Sequence, residues 1–164
     1  MICATRDIIL LNKRLDKASR RDVFLATQIS GVSVYDNKQS SKDGGFHSPS
    51  ETFKIRIPID AVTQGGKAYI PETHYDTAED VEGFWTIHTE DLIIVCASEF
   101  EDVHASVFET DAVTAEQAEA MAKLVGFQKE LIHVVDYSDN TLRGSAAGKH
   151  WRIGGVQYGN HAAA

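Results

Sequence analysis

Three acidic runs hold the residues best suited to chemistry. His88, Glu90 and Asp91 set an imidazole beside two carboxylates, which could serve as an acid–base group or as part of a metal ligand set. Asp76, Glu79, Asp80 and Glu82 offer hard oxygen ligands for a cation, but they lack the glycine-centred loop of a calcium hand. Glu99, Glu101, Asp102 and His104 form a third acidic run with a histidine. Each run lies in a loop or beside a strand start, where solvation alone explains polar residues, and we read all three as solvated surface. The histidines, at positions 47, 74, 88, 104, 133, 150 and 161, are scattered, and no two stand at metalloprotease spacing. Gly66–Lys67 lacks the upstream glycine and the following Ser or Thr of a phosphate loop. Ser145 has Arg143 and Ala147 where a nucleophile elbow needs glycines. No catalytic residue, metal ligand or cofactor is therefore assigned.

Aromatic residues near loops carry a second signal. Tyr69, Tyr75, Phe84 and Trp85 flank the acidic segment, and Trp151 follows His150. They fit either a docking surface, since Tyr and Trp dominate interface hot spots, or a satellite core beneath a long loop.

The elements that must position these residues are mostly strands. Ile8 to Leu11 is apolar on both sides of the alternation, which predicts a first strand from about Thr5 to Asn12 buried on both faces. Lys13–Arg20 reads as a hairpin loop. Val23, Leu25, Thr27 and Ile29 predict a second strand, with Gly31 interrupting it before a third at Val32–Asp36. Phe53, Ile55 and Ile57 alternate with Lys54 and Arg56 and end at Pro58. Glu72–Gly83 is acidic, with room for a short helical turn. Leu92–Ala97 and Leu131–Tyr137 read as buried strands, and Lys149–Ile153 as a short last strand ended by Gly154–Gly155. The firm helix begins at Thr114, which forms a capping box with Gln117, and runs to about Val125, with Gly126 suited to its end.

The expected fold is mainly β: a small antiparallel β-barrel or sandwich with long loops and one packed α-helix. A single barrel-like domain over 1–156 and a tail over 157–164 account for the chain. A compact chain of 164 residues buries about 68–70% of its unfolded surface and needs no staple. Cys3 and Cys96 read as buried reduced thiols. No apolar run approaches a membrane span, and the first residues do not read as a secretory signal. The net charge of −8 disfavours a protein whose task is to grip phosphates, though it allows one that sits near DNA without holding it. Asn37–Ser50 is rich in Gly and Ser, too long for an ordinary hairpin turn, and cannot build a core.

Several ordered segments carry a resemblance: Asp7–Asn12 with Arg21–Phe24 and Ile29–Val32; Phe53–Pro58; Gly83–Thr86 leading into Asp91–Val95; and Asp139–Asn140, Arg143–Ser145 and His150–Gly155. Together they span about residues 5–155 and resemble phage and prophage structural proteins encoded among head-assembly and neck genes. The layout is similar to the head-completion (stopper, head-closure) proteins of long-tailed phages. That resemblance implies a ring of identical copies, a hexamer, in the virion neck. Portal and adaptor proteins would lie above it and a tail terminator or tail tube below. DNA would pass through the lumen without specific binding, assembly would occur in the host cytoplasm, and no membrane or cofactor would take part. A long loop would project into the channel, here Asp43, Gly44, Gly45, Phe46 and His47, with Gly66–Phe84 as the alternative segment. The interface residues would be Tyr69, Tyr75, Phe84, Trp85 and Trp151. The chain is longer than minimal stoppers and its helix is an addition. A tail terminator or minor capsid protein, or a soluble β-rich binding module or enzyme, are the other readings.

Overall fold

In a computed structural model, residues 5–39, 50–96, 112–142 and 148–158 are described. The elements in chain order are β1 (Thr5–Asp16), β2 (Arg21–Gln39), β3 (Ser50–Pro58), β4 (Val62–Thr63), β5 (Ala68–Tyr69), α1 (Glu72–Thr77), β6 (Phe84–Trp85), β7 (Leu92–Cys96), α2 (Ala115–Val125), β8 (Gly126–Asn140) and β9 (His150–Gln157). The fold is mainly β. One antiparallel sheet runs β1-β7-β8-β9-β3-β2 and closes on itself because β2 also pairs with β1, while β4 continues the ladder along β2. Full closure leaves the strands of the ring without an open lateral edge over their paired lengths.

The strand alternation divides the apolar residues between two cores. Ile8 and Leu10 of β1 face the barrel interior with Ile29, Val32, Phe53, Ile55, Ile93, Val134 and Ile153. Ile9 and Leu11 face outward and join Ile94, Leu131 and Phe24 beneath α2. This is the strand buried on both faces that the apolar run predicted. α2 presents Ala118 and Ala122, whose short side chains let the helix lie close to the sheet. Its capping box forms as predicted: Gln117 N donates to Thr114 Oγ1 at 3.2 Å and Thr114 N to Gln117 Oε1 at 2.9 Å. Cys96 lies in this second core, where burial pushes its thiol pKa up to about 12; Cys3 is outside the described residues.

Local expectations fail where a pairing partner overrides the sequence signal. Lys13–Asp16 continues β1 rather than opening a loop, because the ladder with β2 extends to Asp16↔Arg21. Gly31 does not break β2. It sits at φ +82° inside a bulge that shifts the register between Arg6 and Ile8. There β2 passes from its ladder with β1 to its ladder with β3. Gly126 begins β8 directly after the helix.

Gly154 and Gly155 also lie within a strand rather than ending one. They face a second bulge, between Val134 and Asp136 of β8. A Cβ on Gly154 would lie 2.1 Å from Asp136 Oδ1, and one on Gly155 2.5 Å from Ile132 Cγ2 and 3.1 Å from the His133 carbonyl oxygen. Ile132 thus fills the space that a side chain at 155 would need. Gly155→Ala is expected to cost ~1–3 kcal/mol in chemical unfolding by overpacking. Combining it with Ile132→Ala should cost less than the two single losses added together.

Candidate functional site

The segment between β4 and β7 folds across one end of the barrel. β5 pairs with β6 in parallel through Ala68↔Phe84 and Tyr69↔Trp85, and α1 lies between them in sequence. The segment is fastened to β1 by a polar tie built on Asp91, which is fully buried. Asp91 Oδ1 accepts from Lys13 N at 2.8 Å and faces His88 Nδ1 at 3.1 Å. Its Oδ2 accepts from His88 N at 2.7 Å and Asn12 Nδ2 at 2.9 Å. Asn12, also buried, bonds the Thr86 backbone in both directions. On its other side His88 Nε2 lies 2.7 Å from Asp76 Oδ1, an exposed carboxylate on α1. Next along β1, Arg14 donates to the Tyr75 and Ala78 carbonyls and stacks over the Tyr75 ring. Three consecutive residues, Asn12 to Arg14, thereby hold the segment in place.

The electrostatics follow from this geometry. Burial disfavours the His88 imidazolium, but Asp91 and then Asp76, through hydrogen bonds and charge, outweigh it and raise the pKa to about 9. Burial pushes the Asp91 carboxyl upward, against the hydrogen bonds and charge of His88 and the backbone amides of Lys13 and His88. Every group around Asp91 is a donor, which suits the ionised form. A general base needs a ring nitrogen with a free lone pair, whereas both nitrogens of His88 face carboxylates. His88 therefore acts as a cation clamped between two anions. Glu90, placed at φ +78°, turns away to bond Lys13 Nζ at 2.7 Å. Among the described residues no group of three or more His, Cys, Asp or Glu has the arrangement of a metal site. Glu99–His104 is outside the described residues.

The raised His88 pKa makes stability depend on pH in a defined direction. The stabilisation is complete below the unfolded value near 6.5 and is lost as pH rises through about 9. Urea unfolding at pH 6 and pH 9.5 is expected to differ by up to ~3 kcal/mol, and His88→Gln should remove most of that difference.

The five aromatic residues do not form one exposed surface. Tyr75, Trp85 and Trp151 are buried, Tyr69 is half-buried, and Phe84 alone is exposed, at 40%. Tyr69, Trp85 and Trp151 stack on one another with ring centroids 4.7 to 5.1 Å apart. They close the end of the barrel, and Tyr75 packs edge-on to His88. Neither a shared docking surface nor a separate satellite core results: Trp85 and Trp151 belong to the main barrel core and Tyr69 packs against it, since a ring carrying a polar tip is as able to fill a core as to bind a partner. Asp43, Gly44, Gly45, Phe46 and His47 lie outside the described residues, in the connection between β2 and β3. The alternative segment, Gly66–Phe84, is the lid itself.

A feature missed in the sequence lies on the outer face of β3, β9 and β8. A groove of about 440 Å³ runs over Gly154 and Arg152 of β9, between Lys54 of β3 on one side and Asp136 and Ser138 of β8 on the other, and the exposed Val135 also lines it. The alternation that points Phe53, Ile55 and Ile57 inward points Lys54 and Arg56 outward. The groove itself comes from the glycine and the bulge opposite it, neither of which shows in a periodicity.

No curated protein and no solved structure matches the chain. A family model covers residues 3–156, a span that takes in the barrel, the lid and α2 alike. By that match over nearly its whole length, the chain belongs to DUF6751, a family of unknown function.

Proposed function

We propose that this chain is a structural component of a phage virion, a neck protein that joins head to tail as a ring of identical copies. The observation carrying the reading is the β2–β3 hairpin. Among the described residues the ladder of β1 with β2 reaches Ser33 and that of β9 with β3 reaches Thr52, while β2 and β3 stay paired out to Gln39↔Ser50. Among the described residues the last two pairs, Lys38↔Glu51 and Gln39↔Ser50, thus lie past the ladders of both neighbours, and the Gly/Ser-rich sequence 40–49 joins them. An arm of this kind has a use beside other subunits. The barrel interior is filled by side chains, so a channel would lie between copies rather than through one. A net charge of −8 suits a lumen along which DNA slides without adhering. The His88 cluster is consumed in fastening the lid, which favours scaffold over catalysis.

In this reading six copies lie below the portal and adaptor and above the tail terminator or tail tube, and the connection of residues 40–49 retains packaged DNA by steric blockage. The test is a virion map with the chain labelled, together with deletion of residues 40–48. Density at the head–tail junction and heads that lose DNA after the deletion are expected. A particle that lacks the chain, or full DNA retention without the loop, would reject the reading.

A further inference from the structure

We infer that the groove on the outer face of β3, β9 and β8 receives the Glu79–Phe84 segment of a second copy of this chain. The inference rests on the ring reading and supplies the contact between neighbours that it requires. Arg56 and Arg152 are Cα partners across the β3–β9 ladder, and Lys54 shares their outward face. All three are exposed, and among the described residues none of them makes an ion pair. The Arg56 guanidinium lies over the Tyr35 ring. Like charges directly opposite in a sheet repel, so the pair disfavours the isolated chain. An anionic partner converts that repulsion into attraction.

The chain carries such a partner on its lid. Glu79, Asp80 and Glu82 are exposed, and Phe84 is exposed between buried neighbours, Val81 and Trp85, which fix the ridge to the body. The Glu82 amide donates to Asp80 Oδ1 at 3.0 Å, setting the turn before Phe84. An aromatic anchor flanked by acids complements a groove in which Lys54 and Arg152 outnumber the one acid, Asp136, and whose edge at Val135 is apolar. The ridge and the groove are different patches, so the contact is heterologous and repeats from copy to copy into a closed ring or a filament.

A photocrosslinking amino acid replacing Phe84 in the full chain tests this contact at ~100 μM, within reach of weak self-association. Cross-links to a second copy between Val135 and Ser138 or between Arg152 and Val156 are expected. Arg152→Glu or Glu82→Arg alone should lower the yield at least about tenfold, and mixing the two variants should restore it to within about threefold. Arg152→Glu should leave the thermal midpoint unchanged or raised, because it places an acid opposite Arg56; this separates lost association from lost folding. Cross-links mapped elsewhere, or a mixture that restores nothing, would overturn the inference. So would an unchanged yield in Arg152→Glu alongside lost retention of a DNA duplex, which assigns the face to nucleic acid. A chain located in the neck but contacting its neighbours elsewhere removes this contact and keeps the neck reading. A contact that holds in a chain missing from virions does the reverse.

Discussion

Asp91→Ala is expected to destabilise the protein by ~3–5 kcal/mol, the scale on which removing one partner from a buried ion pair acts. The loss has two parts. His88 N, Lys13 N and Asn12 Nδ2 each lose an acceptor at a buried or half-buried position. His88 also loses its buried counter-ion and keeps only Asp76, which is exposed and screened by water. The His88 pKa should fall from about 9 towards its ordinary value, which NMR titration of the ring reads directly. Asp76→Asn gives the contrast, since its 55% exposed side chain limits the expected loss to under ~1 kcal/mol. Equal losses from the two carboxylates in urea unfolding would mean that Asp91 does not anchor the lid.

Trp85→Ala is expected to cost ~3–5 kcal/mol, by emptying the centre of the barrel's aromatic lid. Trp85 is 2% exposed and touches both Tyr69 and Trp151, so its removal leaves a cavity bordered by two rings with lost edge contacts. The adjacent Phe84→Ala should stay within about 0.5 kcal/mol in the isolated chain, the usual range for a surface position. Two neighbouring aromatic residues thus have opposite expected behaviour. Thermal or urea unfolding of the two variants side by side checks it, and similar losses would contradict the placement of either ring.

Much of the barrel was legible because burial leaves a local trace. Ile8 to Leu11 shows a strand covered on both faces, and Phe53–Ile57 shows one covered on a single face. The spacing of Thr114 and Gln117 reveals the start of α2 since both capping partners lie in one turn. Illegible features depend on a distant partner. Asp91 reads as a turn residue, yet its environment is made by Asn12 and Lys13, far away in sequence on β1. Tyr75, Trp85 and Trp151 have side chains that suit a lid or an interface equally, and the choice is made by what lies opposite. Gly154–Gly155 looks like the close of a strand by composition, whereas Asp136 and Ile132 on β8 dictate the glycines.

The strand order carries a consequence for synthesis. β9 lies between β3 and β8, whereas β1, β2, β3, β7 and β8 precede it in the chain and can pair into an open sheet without it. While the polypeptide leaves the ribosome, that sheet has β3 and β8 as bare margins, each offering backbone groups to another nascent molecule. The last strand acts as a keystone. Premature termination before His150 should yield a product that still forms most of its hairpins yet precipitates or is degraded, since the circle of strands is sealed only when residues 150–157 slide into the gap.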